Sequence, residues 1–583
     1  MYHCREDQRI TDPIKNVPAT QQGHFYGKVG AVAKDPKKER PWNWQKLVPW
    51  FSVVWYNLTA MKNNTHELNY YTNGRDLQLL IDARFAEKVI PENDSVRLLD
   101  KMVEEMDLSA LYGTYACTGR PTAVPPSTTL KIMLYASMEG IRAPRQIQKR
   151  CERDMNYIWL LDGAAAPEFN HFERFRRNHL SKCADILLAQ LVQKLAALGE
   201  IRYEHLFVDG TKIEANANKY SFVWKKSVTK YEARLSAKLE RRIPQLCEQY
   251  GIMAATEEDL LLQMEGKMTT PFVYGRGKRK SQLQRDIEEL QGLLQRKEKY
   301  SGYQGTFGDR NSFSKTDPDA TFMHMKEDHM RNSQLKPGYN IQFGVEGEYI
   351  VGVDVSSERN DQNTLIPLLE QMEAQLGNKY QDVTADAGYE SEENYSYLEQ
   401  HEIGCYIKPA NYERSKTKKF KSNMALRENM LYDAKADEYT CQNGMKLRAK
   451  YVSKRESKTG YISQITHYEC ESCEGCPYKS KCTKAEGNRK ITVSKRFIEQ
   501  RAESLKRITS ETGIQLRMNR SIQSEGAFGV VKEDYNFRRF LTRGRWNVRT
   551  EILLAAMGYD IRKLHAKIQQ NRTKTQLFQK VSA

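Results

Sequence analysis

Three carboxylates stand in settings that suit metal-ion chemistry. Asp209 closes the apolar run Leu206-Phe207-Val208 and precedes Gly210-Thr211-Lys212. Asp386 closes Val383-Thr384-Ala385 and precedes Ala387-Gly388-Tyr389. An apolar run that ends on an aspartate and breaks at a glycine reads as a buried strand presenting its last side chain, where open α/β sheets collect ligands and ions. Asp-Gly is also a common turn dipeptide, so Asp209 taken alone could simply begin a turn. Glu525 is followed seven positions later by Lys532. That spacing is close to two helical turns, so both side chains point the same way and can reach a metal-bound phosphate. An ordinary surface helix carries the same residue types. Hard divalent cations such as Mg²⁺ or Mn²⁺ prefer such oxygen ligands. A second candidate centre is the run Cys470-x2-Cys473-x2-Cys476-x5-Cys482, preceded by Cys441. It suits a structural Zn²⁺ ribbon, an iron–sulfur cluster (Pro477 follows the third cysteine), or four free thiols.

The elements around these residues follow from the hydrophobic pattern. Strands are expected at 338–345 and 349–355, a helix with polar caps after Asn360-Asp361, then a strand ending at Ala385, a helix over 391–398 and a strand at 405–409. Three adjacent strands, a helix and two more strands is the order of an RNase H-like (retroviral-integrase-like) core. This is an α/β fold with a mixed sheet, in which aspartates on the first and fourth strands lie side by side. The core spans 201–410 and 501–570, interrupted by a helical hairpin at 228–300 and a cysteine-rich insertion at 411–500. In the hairpin, Tyr231, Leu235, Leu239, Ile243 and Leu246 form one seam, and Leu283, Ile287, Leu290 and Leu294 the other, around a loop near Pro271. It reads as a spacer or dimer contact.

Residues 61–200 form a helical N-terminal domain. Within it Thr129–Met138, a break at Gly140 and Pro144, and the basic stretch Arg145–Arg150 have the outline of a helix-turn-helix DNA reader, with Arg145, Lys149 and Arg150 as candidate contacts. A plain bundle with a solvated basic face fits the same outline. Arg538, Arg539, Arg543, Arg545 and Arg549 make a basic, DNA-friendly stretch, with a closing helix over 553–564. Residues 1–60 read as a weakly ordered extension with Met61 as the native start, and 571–583 as a basic tail.

The chain has 583 residues, a formal net charge of +17 and a pI near 9.1, which favours a polyanionic partner. No stretch offers the roughly 18 apolar residues of a spanning helix, so nucleic acid is a better candidate than a membrane. Leu47–Leu58 is short, contains a proline and makes a poor secretion signal. Eleven scattered cysteines in so long a chain argue against a secreted disulfide framework, which suggests the cytoplasm.

Several blocks carry a family resemblance. Asp209-Gly-Thr-Lys-Ile-Glu-Ala-Asn-Ala-Asn-Lys-Tyr220, Thr316-Asp-Pro-Asp-Ala-Thr321, Lys336-Pro-Gly-Tyr-Asn340 and Asp386-Ala-Gly-Tyr389 resemble the DDE transposases of bacterial insertion sequences. Gly119-Arg120-Pro121 and Arg174-Phe175-Arg176 match the N-terminal region of that family. The likeness runs from about Met61 to Lys567 and is nearest to the eleven-eighty-two group, related to the insertion-sequence-four superfamily. It implies an RNase H-like catalytic domain whose acidic triad is Asp209, Asp386 and Glu525. It carries over Arg520 and Lys532 from a tyrosine–arginine–glutamate–lysine signature. Arg517 stands at the tyrosine of that signature, and four residues rather than three separate Arg520 from Glu525. The resemblance implies cleavage at insertion-sequence ends and strand transfer into target DNA with Mg²⁺ or Mn²⁺, on terminal inverted repeats held by a homodimer. Lys212, Arg520 and Arg543 join Arg145, Lys149 and Arg150 as expected DNA contacts. A metal-dependent nuclease on the same fold, or a decayed relative that only binds DNA, are the alternatives.

Overall fold

The protein is described by a computed structural model over residues 83–116, 122–275, 277–325 and 334–575. The expected extension over 1–60, Met61, the Gly119-Arg120-Pro121 block and most of the 571–583 tail lie outside these residues.

The N-terminal segment is helical: α1 (Ala83–Val89), α2 (Ser95–Glu104), α3 (Pro126–Met138), α4 (Pro144–Arg153), α5 (Met155–Leu161), α6 (Phe169–Asn178) and α7 (Ala184–Ala197). α2 starts where Asp94 accepts the Val96 N–H at 2.9 Å, and its buried Val96, Leu99, Met102 and Val103 recur at helical spacing. α3 is buried on every side from Thr129 to Met138. Even Lys131 is inside, paired with Asp100 at 2.6 Å. The expected helix, glycine turn and basic helix are therefore present, with the first helix serving as the centre of the bundle.

The main sheet is built from β1 (His205–Glu214), β4 (Thr321–His324), β5 (Leu335–Glu346), β6 (Tyr349–Ser356), β7 (Asp382–Ala385) and β8 (Gly404–Ile407), while β2 (Phe222–Trp224) pairs with β3 (Ser312–Ser314). The long strand β5 holds β1 on one edge and β4 and then β6 on the other, all antiparallel. β7 and β8 continue beyond β1 as parallel strands. The sheet order is β6-β5-β1-β7-β8, three antiparallel strands followed by two parallel ones, so the sheet is mixed, as expected.

An insertion follows β1. It contains α8 (Lys225–Tyr250), α9 (Glu257–Gly266) and α10 (Gln282–Phe307). α8 and α10 form the expected antiparallel arms. α9 fills the loop region, and Leu260 and Met264 complete a separate apolar core with Leu235, Leu239, Leu246, Ile287 and Leu290. Tyr231 does not belong to the seam: it is 51% exposed.

Beyond β6 the chain runs through α11 (Leu365–Leu376), β7, α12 (Glu392–Gln400) and β8 into the cysteine-rich segment. There β9 (Leu431–Asp433), β10 (Glu438–Thr440), β11 (Lys446–Glu456), β12 (Ile462–Cys470) and β13 (Lys490–Val493) form a five-stranded antiparallel sheet with its own small core. α13 (Lys495–Thr509) starts inside the range expected for the insertion, yet packs on α12 and β8 of the main sheet. α14 (Glu511–Gly529) crosses β1, β5 and β7, and α15 (Arg545–Gln569) runs between β6 and α3.

α15 joins the helical segment and the sheet into one core. Residues 548–561 of α15 are all buried. At Gly558 an added Cβ would lie 2.7 Å from Ser137 Cβ and 2.8 Å from Met138 N, so α3 and α15 touch backbone to backbone. Arg142 bridges the two, stacking 3.6 Å over the Phe537 ring and pairing with Glu551 at 2.7 Å. At the far end Lys567 Nζ is 3.0 Å from Glu200, both almost fully buried, and Tyr349 donates its hydroxyl to the same carboxylate at 3.1 Å. Among the described residues no helix is long and apolar enough to cross a membrane.

Candidate active site

Strand register brings two of the three acids together. The parallel ladder between β1 and β7 ends at the pair Val208 and Ala385, so Asp209 and Asp386 are the next residue on each strand. Asp386 Oδ1 accepts the Gly388 N–H at 2.8 Å, and Asp209 Oδ1 accepts the Gly210 N–H at 2.9 Å. β1 does not stop at Gly210, contrary to the sequence expectation. It runs on to Glu214 in register with β5, so Asp209 sits at a strand end only with respect to β7. Gly210 saves space: an added Cβ would lie 2.5 Å from Gln342 Nε2 and 2.9 Å from Asp361 Oδ1, so both side chains would have to shift.

The third acid comes from α14. Ser510 caps that helix by accepting the Gly513 N–H at 3.1 Å. Near its other end Phe528 stacks on Phe343, with ring centroids 4.4 Å apart. Phe343 is the cross-strand neighbour of Asp209, so this stack presses α14 onto the sheet face that carries Asp209. Glu525 follows on the preceding turn, 63% exposed, and accepts the Ser521 hydroxyl at 2.9 Å. Arg520 spans the gap: Nη1 lies 3.4 Å from Asp209 Oδ2, and Nη2 lies 4.0 Å from Glu525 Oε1. The helix then widens into a π turn, Val530–Asp534, in which the Tyr535 N–H reaches back to the Val530 carbonyl at 2.9 Å. That turn carries Lys532. Asp209, Asp386, Glu525, Arg520, Lys532 and Glu533 line a single open cleft of about 380 Å³.

The donor set in this cleft suits a hard cation, being composed of carboxylate oxygens. Among the described residues no three carboxylate, imidazole or thiol groups converge on one ion-sized point. Arg520 instead places a positive guanidinium between Asp209 and Glu525, where a shared cation would sit. The donor types therefore suit a divalent ion, while in this arrangement Arg520 holds the gap between Asp209 and Glu525.

A fourth carboxylate escaped the sequence reading. Asp361 precedes α11, and its acid turns back under the sheet instead of capping that helix. Its Oδ1 accepts the side-chain amides of Asn340 at 2.7 Å and Gln342 at 3.2 Å. Its Oδ2 lies 3.1 Å from the Cβ position of Gly388. Tyr389, buried beside it, donates its hydroxyl to Gln342 Oε1. Burial, reinforced by Asp361, Asp209 and Asp386, drives the Tyr389 hydroxyl far above its ordinary value, so it remains a donor.

The remaining expected contacts are scattered. Lys212 alternates to the sheet face opposite Asp209 and faces away from the cleft. Arg145 stacks 4.9 Å over the Phe169 ring, Arg150 pairs with Asp154 at 2.9 Å, and Lys149 is exposed on the same helix. Arg543 donates to the Asn216 carbonyl at 2.8 Å. Arg549 is not a surface contact. It is buried, 2.7 Å from Asp185, because two remote acids, Asp185 and Asp354, draw it inward. The Thr316–Thr321 block is also structural: Tyr339 donates to Asp317 at 2.9 Å, and Asp319 accepts the Arg545 N–H at 2.9 Å at the start of α15. Cys470, Cys473, Cys476 and Cys482 share one cavity with Cys441.

Residues 84–178 match the family model described as Transposase domain (DUF772), and residues 440–565 match the model described as Transposase DDE domain. Both matches are to transposase families. The first covers α1 to α6, and the second runs from the cysteine-rich sheet through α14 into α15, including Glu525 and Lys532. Asp209 and Asp386 lie between the two matched segments. No curated protein and no solved structure matches the chain.

Proposed function

We propose that the chain is a DNA transposase of the DDE type, which cuts at the ends of an insertion sequence and joins them to target DNA. One observation carries the reading: Asp209 and Asp386 emerge side by side from parallel strands and share a cleft with Glu525 and Lys532, in a chain matching transposase families on both flanks. The strand order β6-β5-β1-β7-β8 supports an RNase H-like core of the retroviral-integrase type.

Asp209, Asp386 and Glu525 would hold the divalent ions. Such ions supply Lewis-acid charge at a phosphodiester. Arg520 and Lys532 bind phosphate oxygens, the guanidinium offering two parallel donors. Incoming phosphate gives Arg520 a competing anion and draws it off Asp209, which frees the carboxylates. Asp361, Gln342 and Tyr389 form a hydrogen-bonded layer that holds the backbone of the two aspartates in place. The exposed basic residues of α4 extend the contact to DNA, and a homodimer on paired ends completes the proposal.

Asp209→Asn, Asp386→Asn and Glu525→Gln should each lower cleavage of an end-repeat duplex by more than about 100-fold, the scale for losing a group that acts in the transition state, while leaving duplex binding unchanged. Near-normal joining by any one of the three would overturn the triad. A strand-transfer assay with a pre-nicked end separates a transposase from a nuclease that only cuts.

A further inference from the structure

The cysteine-rich sheet ends in a cavity of about 20 Å³ whose lining includes Cys441, Cys470, Cys473, Cys476 and Cys482. That is room for about one small guest, since a single water needs roughly 10–15 Å³ measured this way. No carboxylate or imidazole lines it. The thiols arrive from separate pieces of chain. Cys441 opens a tight turn in which its N–H donates to the Met445 carbonyl at 2.9 Å. Cys473 and Cys476 lie in the loop after β12, and Cys482 closes a short helix, Lys479–Cys482. None of the described cysteines is in a disulfide.

Two features favour negative sulfur at Cys473. Cys473 Sγ accepts the backbone N–H of Arg489 at 3.3 Å. The Arg489 side chain also lines the cavity, and its buried Nε has no acceptor. A buried guanidinium N–H left unpaired is costly, and a thiolate beside it would remove that cost. Lys479 lines the cavity too, its ammonium donating to the Glu486 carbonyl at 2.6 Å.

The five sulfurs are not equivalent. Cys470 is the last residue of β12, is buried, and donates its thiol to the Ser472 carbonyl at 3.5 Å. Cys482 lies beside Cys441, Cys473 and Cys476; Cys470 also neighbours Cys473 and Cys441, but its thiol is engaged by the Ser472 carbonyl. No three of the sulfurs yet converge on one point, but each thiol is re-aimed by rotation about a single Cα–Cβ bond. We propose that Cys441, Cys473, Cys476 and Cys482 bind one Zn²⁺ as a closed tetrahedral thiolate site, and that Cys470 is a buried structural thiol outside it. Binding releases the thiol protons to solvent. It pins the loop between β12 and β13 to the turn at Cys441, in a region whose own apolar core is small. The site is independent of the acidic cleft, so its test does not depend on DNA chemistry.

The experiment is metal analysis of the full chain purified without chelator, by inductively coupled plasma mass spectrometry. Near one zinc per chain is expected for the wild type and for Cys470→Ser, with at least a fivefold loss in Cys441→Ser and Cys482→Ser. Co²⁺ added to chelator-stripped wild type should give the strong visible absorption of a tetrahedral thiolate complex, a readout that needs no variant. A wild-type chain that neither carries zinc nor gives that spectrum overturns the proposal. So does a brown iron–sulfur chromophore, or a Cys470→Ser chain that loses its metal while Cys441→Ser retains it.

Discussion

Replacing Arg520 by glutamine should tighten divalent-ion binding to the free protein. The guanidinium stands 3.4 Å from Asp209 and 4.0 Å from Glu525, so an ion can occupy that gap only by displacing it. The Arg520 and Asp209 side chains are each about one-sixth exposed, which places their pair between a fully solvated and a fully buried one. Exposed pairs contribute about 0.2–1 kcal/mol, whereas breaking a buried pair costs about 3–5 kcal/mol. An intermediate figure of about 1–2 kcal/mol for the displacement corresponds to roughly 5- to 30-fold tighter binding in the variant. Arg520→Lys keeps the charge but loses the forked geometry, and should fall between variant and wild type. Mn²⁺ titration followed by electron paramagnetic resonance, without DNA, measures the constant directly. Unchanged or weaker Mn²⁺ binding by Arg520→Gln would show that the guanidinium does not compete with the ion. On the proposed role of Arg520 as a phosphate ligand, the same variant should bind end-repeat DNA less tightly.

The packing makes further predictions. Gly558→Ala should destabilise the protein by about 1–3 kcal/mol, since the new methyl meets the α3 backbone. Gly292→Ala in α10 meets nothing within 4 Å and should instead stabilise by about 0.4–1 kcal/mol. Urea midpoints that shift the same way in both variants would contradict the close approach of α3 and α15. Burial lifts the Asp560 carboxyl well above its ordinary value, so the folded protein keeps a proton that the unfolded chain releases above about pH 4. Its contribution to stability therefore falls as pH rises past that point, by about 1.4 kcal/mol per pH unit while the folded group stays protonated. Relative to Asp560→Asn, the wild type should lose stability between pH 5 and pH 7; a constant difference would show that Asp560 is ionised in place.

The sheet was legible because β1, β5, β6 and β7 are apolar runs interrupted by glycine or polar residues, and buried strands of mixed sheets are written that way. The adjacency of Asp209 and Asp386 followed from that order. What the pattern could not show was that β1 outlasts β7, because the length of a strand is set by its neighbours; Gly210 looked like a break and is a space-saving residue. Asp361 was hidden by its position before a helix, where an acid normally caps. Only the fold brings Asn340 and Gln342 to its oxygen. The five-stranded sheet was missed for a different reason. β9 is exposed throughout and β11 is mostly exposed, so neither carries an alternating apolar signal. Arg549 read as a DNA contact because arginine is usually solvated, and its burial depends on acids some 200 and 360 residues away in sequence.

The position of α15 in the chain has a consequence for biosynthesis. The surfaces it covers, on α3 and β6, leave the ribosome long before α15 itself, which begins at Arg545. At about 5–20 residues per second the apolar side of α3 waits on the order of half a minute for its partner. During that interval the nascent chain displays a greasy strip to chaperones and proteases. Premature termination upstream of Arg545 would therefore leave that strip of α3 without its partner.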